Sequence, residues 1–219
     1  MYNSSTLYFD TCQNLLSLYQ NSFGISFSGY EIKNDLSNPH APITLHSDKT
    51  VVLRCNINCQ SQIVFQLSHE LCHAAVSKNV KKSLRWFEEV LAVLSSFIFP
   101  LELSTIDKKK YIGYFKSSIS DCLCECFKDS SMDLNEKILK ELEAGSGTNN
   151  YNDYGSYWNV AQKLLPVIDC SSDIWKCVPY LAAVPCELSF ADSLDKWQEI
   201  SPLKVRNSIS IIKSALLFR

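Results

Sequence analysis

The chain lacks an excess of charge of either sign: its 219 residues carry a formal net charge of −2. A binder of nucleic acid neutralises phosphates with clustered lysine and arginine, so that class of function is not expected. The one basic run, Lys108-Lys109-Lys110, stands alone and reads as a solvated edge. Long hydrophobic runs are missing too. The longest, Val90–Leu101, is broken by Ser95, Ser96 and Pro100. It falls short of the ~20 apolar residues that a membrane-spanning helix needs. The opening MYNSSTLYFDTCQNLL has no basic stretch followed by an apolar one, so it does not read as a secretory signal. A cytoplasmic protein with no membrane or nucleic-acid partner is expected. No internal repeat and no helix-turn-helix segment is found.

What is present is an ordinary globular composition, 46% hydrophobic and 20% charged. That suffices for one sizeable core and argues against disorder. The ten cysteines would suggest a disulfide framework in a secreted chain. Here Cys12, Cys72 and Cys177 sit inside apolar patterns and read as buried free thiols. Cys122, Cys124 and Cys126 form a C-x-C-x-C string with no second cysteine pair at zinc-ribbon spacing. A structural or incidental role is expected for them.

Apolar spacing predicts a helix over Ser5–Tyr19 and a strand over Ile25–Ile32. Two short strands, Ile43–His46 and Thr50–Cys55, flank a turn at Ser47-Asp48-Lys49. From Ser61 the period becomes helical, with Asn58 a candidate N-cap. Helices are expected over Ser61–Ser77, Leu84–Phe99, Thr105–Lys128, Leu134–Leu142, Tyr154–Val167 and Val205–Phe218. Ala144–Asp153 reads as a loop, and Asp169–Glu187, with Pro179 and Pro185, as irregular. The fold class is α+β: a small N-terminal sheet, then a mostly helical C-terminal part.

The helix over Ser61–Ser77 carries the sequence His69-Glu70-Leu71-Cys72-His73. At ~100° per residue, Gln66, His69 and His73 fall within ~40° of Gln62, with Glu70 just beside them. Val64, Leu67, Leu71, Ala74 and Ala75 lie opposite. Such a helix backs onto a core with one face and looks into a cleft with the other. Histidines at i and i+4 stand one above the other and can share an ion. Zinc suits such nitrogen ligands. Glu70 is placed to take a proton from a water that the metal acidifies. This is the H-E-x-x-H pattern, expected to hold one zinc per chain. Cys72, beside His73, reads either as a redox-sensitive thiol or as a small packing residue.

A catalytic zinc needs a third protein ligand. Two glutamates compete on the next helix. The apolar residues Trp86, Phe87, Val90, Leu91, Val93, Leu94, Phe97 and Ile98 fill one broad arc. Glu89 lies at its edge, ~40° from Val93, whereas Glu88 lies farther out toward solvent. Glu89 is therefore the expected ligand and Glu88 the runner-up, whose replacement should do little. Without a metal, Glu89 would be a surface carboxylate paired with Arg85 at i−4.

The series "TVVLRCN", "QIVFQLSHELCHAAV" and "WFEEVLAVLSSFIFPLEL" resembles the gluzincin metallopeptidases, over roughly residues 43–103. Within them it is closest in pattern to the ImmA/IrrE type and to minimal gluzincins. In this chain Cys72 replaces the usual glycine of His-Glu-Leu-Gly-His, and Val90 stands where alanine or glycine is usual. The resemblance implies a zincin-like peptidase core over residues 1–103. A helical part over residues 104–219 then packs on it as one compact unit. It implies His69, His73 and Glu89 as zinc ligands, Glu70 as general base, and an intracellular peptide or protein as substrate. A donor to the reacting carbonyl oxygen must come from elsewhere. Tyr154 and Tyr157 are the favoured candidates, with His40 and His46 as further ones. One of the two strands, Thr50–Cys55 or Ile43–His46, is expected to form a sheet edge to which an extended peptide adds. The alternative is a catalytically inactive zincin-fold binding or scaffold protein.

Overall fold

The computed structural model describes residues 4–76, 78, 80–106, 154–169 and 171–217. The expected helices after Ile106 and up to Leu142, the C-x-C-x-C string and the loop of residues 144–153 lie outside them.

Helix α1 spans Ser4–Phe23. Its spacing of Leu15, Tyr19 and Phe23 buries one stripe completely, against Phe99 and Trp175. It ends at Gly24, whose φ of 66° places it in the left-handed region that favours glycine. The expected strand over Ile25–Ile32 is displaced. Strand β1 is Glu31–Asn34, and the residues before it form a turn around Gly29. The alternation there serves a different end: Phe27 is buried edge-on against Tyr19.

Strands β2 (Ile43–Leu45) and β3 (Thr50–Leu53) form the expected hairpin, with Leu45 opposite Thr50. The sheet has three strands in the order β1-β3-β2. Strand β3 is central, parallel to β1 and antiparallel to β2, and all four of its residues are buried. Strand β2 is paired on one side only, among the described residues.

Helix α2 spans Gln60–Val76. The Cys59 carbonyl accepts the first helical hydrogen bond, from Ile63, so Cys59 stands where Asn58 was expected as the cap. Val64, Leu67, Leu71, Ala74 and Ala75 are buried, as the wheel requires. The other face is divided between two tasks. Gln62 and Gln66 fasten the helix to the main chain after β3: Gln62 accepts from the Asn56 N–H, and Gln66 bonds both the N–H and the C=O of Arg54. One and two turns on, the same face meets helix α3.

Helix α3 runs over Arg85–Ile106, beyond the end expected at Phe99. Pro100 lacks a helical N–H and terminates most helices. Here Phe97, Phe99 and Leu103 all lie in the core, and this anchors the chain on both sides of the proline. Helix α4 (Tyr154–Leu164) lies against α3, with Trp158 edge-on to Phe97. The segment expected to be irregular contains a run of 3₁₀ turns over Asp173–Ala183, which buries Trp175, Cys177 and Leu181. Helix α5 (Phe190–Ile200) was not foreseen. It is capped by Ser189, whose hydroxyl accepts from the Asp192 N–H. Phe190 packs on Trp86 and Phe87. Helix α6 (Ile209–Leu216) follows a 3₁₀ turn and starts four residues later than expected. The result is an α+β fold: a small sheet and a mostly helical remainder around one buried cluster running from Cys12 to Leu216. The boundary placed at residue 103 falls inside α3.

Candidate metal centre

The packing of α2 on α3 decides which polar side chains meet. Tyr19 of α1 donates to the Ser68 carbonyl at 2.7 Å, and the Ser95 hydroxyl of α3 lies 3.1 Å from the same oxygen and 2.8 Å from the Ala92 carbonyl. The Tyr19 bond fastens the turn that carries His69 to α1.

His69 and His73 then point their Nε2 atoms at one location, 3.2 Å apart. Glu89 completes the group, with one carboxylate oxygen 3.4 Å from His69 Nε2 and the other 3.6 Å from His73 Nε2. A tetrahedral ion with bonds of ~2.0–2.2 Å separates its ligand atoms by about 3.3–3.6 Å. Each of these contacts is close to the separation of two ligands on one ion, although the two glutamate contacts are made by different carboxylate oxygens. Among the described residues this is the one group of three or more histidine, cysteine, aspartate or glutamate side chains so arranged.

Glu88 is not a solvent-side carboxylate. It is only 6% exposed, and it accepts from His73 Nδ1 at 2.8 Å. That bond places the proton of neutral His73 on Nδ1 and leaves the Nε2 lone pair for an ion. The wheel ranked the two glutamates against a single buried arc. Helix α3 is enclosed on nearly all sides in this region, so Trp86 through Leu94 are buried apart from Glu89. Glu88 and Glu89 both face α2, one on each side of His73. Arg85 lines the same cleft, but no ion pair joins it to Glu89 among the described residues.

The electrostatics suit a cation. Burial pulls the His73 pKa down, but the carboxylates of Glu89 and Glu88 outweigh it and hold the ring well above its ordinary value. Burial pushes Glu89 up. The charge of His73 and hydrogen bonds from both histidines more than offset this, so Glu89 lies below the usual carboxylate range. Two carboxylates thus demand positive charge between them, which a proton meets in the ion-free state.

The group sits in a cleft of about 410 Å³. One wall is the segment from His40 to Thr44 with His46, and the other is α2 and the start of α3. Glu70 lines it and is 4% exposed. Its carboxylate accepts a hydrogen bond of 2.8 Å from the Thr44 hydroxyl, a contact that sequence reasoning missed. His46 is half-buried, and its Nδ1 has no hydrogen-bond partner among the described residues. Burial, with His73 adding to it, lowers the His46 pKa against the pull of Glu88 and Glu70. His40 lines the cleft from an exposed loop.

The tyrosines fare differently. Tyr157 packs on the hydrophobic core and is not among the residues lining the cleft. Tyr154 begins α4, and its side chain lies outside the description. Cys72 is fully buried, and burial pushes its thiol up to about 12. It is a packing residue held as the unreactive thiol.

No helix of the described residues is long and apolar enough to cross a membrane. Comparison with family models, with curated proteins and with solved structures gives no match for this chain.

Proposed function

We propose that the chain is a zinc-dependent peptidase of the gluzincin type, acting on a narrow set of intracellular peptides or proteins. The observation that carries this is the convergence of two ring nitrogens and one carboxylate, with contacts of 3.2, 3.4 and 3.6 Å, on an H-E-x-x-H helix and its neighbour. His69, His73 and Glu89 would hold the ion, and Glu88 orients His73. When bound, zinc polarises a carbonyl and lowers the pKa of a water to ~7.

The remaining steps fall to the chain itself. Strand β2, paired on one side only among the described residues, offers its other edge to an extended peptide, which adds by main-chain hydrogen bonds along the cleft wall. Glu70 takes the proton of the attacking water, and oxygen bonds to the peptide carbon as the carbonyl becomes an oxyanion. Glu70 then gives the proton to the departing nitrogen as the C–N bond breaks. His46, which lines the same cleft, is the proposed donor to the oxyanion. Tyr157 is not assigned this task, because it faces the core.

A second reading is a scaffold that holds an ion without turnover. A carboxylate in the cleft that binds no ion favours the enzyme, since a scaffold has no use for a base there. Glu70→Gln separates the two. The variant should keep its metal and lose hydrolysis of a quenched-fluorescent peptide mixture by ~10²-fold or more. Unchanged hydrolysis would remove Glu70 as the base.

A further inference from the structure

We propose that Thr44 is the positioning residue for Glu70, holding its carboxyl group in one place through the hydrogen bond to Oε2. This rests on the peptidase reading given above. The Thr44 hydroxyl lies 2.8 Å from Glu70 Oε2 and 2.9 Å from the backbone carbonyl oxygen of the same residue. A hydroxyl has one proton to give and lone pairs to receive with. It cannot donate to both oxygens at once, yet both are within reach.

The shorter contact is to the carboxylate, so Thr44 donates to Oε2 and fixes that oxygen, leaving the other carboxylate oxygen to exchange a proton with water and substrate. The carboxyl group then need not swing between accepting the proton and delivering it. A base held in one position spares the reorganisation that a free side chain would need at each transfer. An exposed glutamate has several rotamers; Glu70 is 4% exposed and tied at its tip.

The location adds a consequence. Thr44 is the middle residue of β2, the strand proposed above to take a peptide on its outer edge. The residue that holds the base therefore belongs to the element that would align the substrate, so one strand sets the position of both. A valine would serve the strand as well as threonine does, since both are β-branched and favour extended backbone. The hydroxyl is what the site uses.

The test compares wild type, Thr44→Val and Thr44→Ser as zinc-loaded full-length chains. Zinc content, thermal unfolding and steady-state hydrolysis of a quenched-fluorescent peptide mixture are measured for each. In Thr44→Val, kcat should fall about ten- to a hundredfold, the range for loss of a supporting partner, with KM and zinc content unchanged. Thr44→Ser keeps the hydroxyl and should recover most of kcat. Equal kcat in wild type and Thr44→Val overturns the proposal and leaves the peptidase reading intact. Equal losses in both variants also overturn it, because the methyl group and not the hydroxyl would then matter. A zinc-loaded wild type that cleaves nothing overturns the peptidase reading, and the role of Thr44 with it.

Discussion

Replacing Glu88 should weaken metal binding although Glu88 is not a ligand. Its carboxylate accepts from His73 Nδ1 at 2.8 Å and is 6% exposed. Loss of such a partner typically costs ten- to a hundredfold in metal affinity, or ~1.4–2.7 kcal/mol. Glu88→Gln keeps an acceptor for Nδ1–H and removes the charge, so it should fall at the low end. Glu88→Ala also leaves a buried N–H without a partner, at ~1–3 kcal/mol of stability. There is a counter-effect. Glu88 helps to hold the His73 pKa above its ordinary value, so in the wild type zinc must displace a proton near neutral pH. Removing Glu88 eases that competition and hides part of the loss. The zinc Kd should therefore be measured by competition with a chromophoric chelator at two pH values. The difference between wild type and variant should widen at the higher pH, where His73 is neutral in both. Equal affinities at both values would refute the reasoning.

Other outcomes follow from the same geometry. Because the metal-free His73 pKa is raised, zinc uptake near neutral pH should release protons, and affinity should fall as pH drops through that raised value; calorimetry in buffers of different ionisation enthalpy counts the protons. In the metal-free protein, protonated His73 should contribute stability fully below ~6.5, the pKa of the unfolded state. That contribution is lost as pH rises through the folded value, so chelator-treated protein should melt progressively lower on the alkaline side. Ser189→Ala removes the cap of α5 and should cost ~1 kcal/mol, read as a lower midpoint in urea, with zinc content unchanged.

How much of this was legible in the sequence can be argued residue by residue. Helix α2 was readable because its two faces differ in chemistry, and the same wheel placed both histidines together. The orientation of Glu89 was readable from its place at the edge of the apolar arc. Glu88 was not, because a wheel assumes one buried side, and α3 is enclosed on almost all of them. Strand β1 was misplaced because Ile25 and Phe27 alternate like a strand while the turn at Gly29 uses Phe27 to fill the core. Helix α5 had signals that went unused: Ser189 three residues before Asp192, then Phe190, Leu194 and Trp197 at helical spacing. The bond from Thr44 to Glu70 had no signal at all. It depends on how β2 approaches α2, and no local pattern encodes that.

The most direct test of the metal centre is elemental analysis of the purified full-length chain, prepared without a histidine tag, beside His69→Ala. About one zinc per chain, lost in His69→Ala, is the expected result for ligands arranged as His69, His73 and Glu89 are. No metal in the wild type, even after zinc is supplied, would mean that the three side chains satisfy one another through a proton alone. The proposed enzyme would then have no centre.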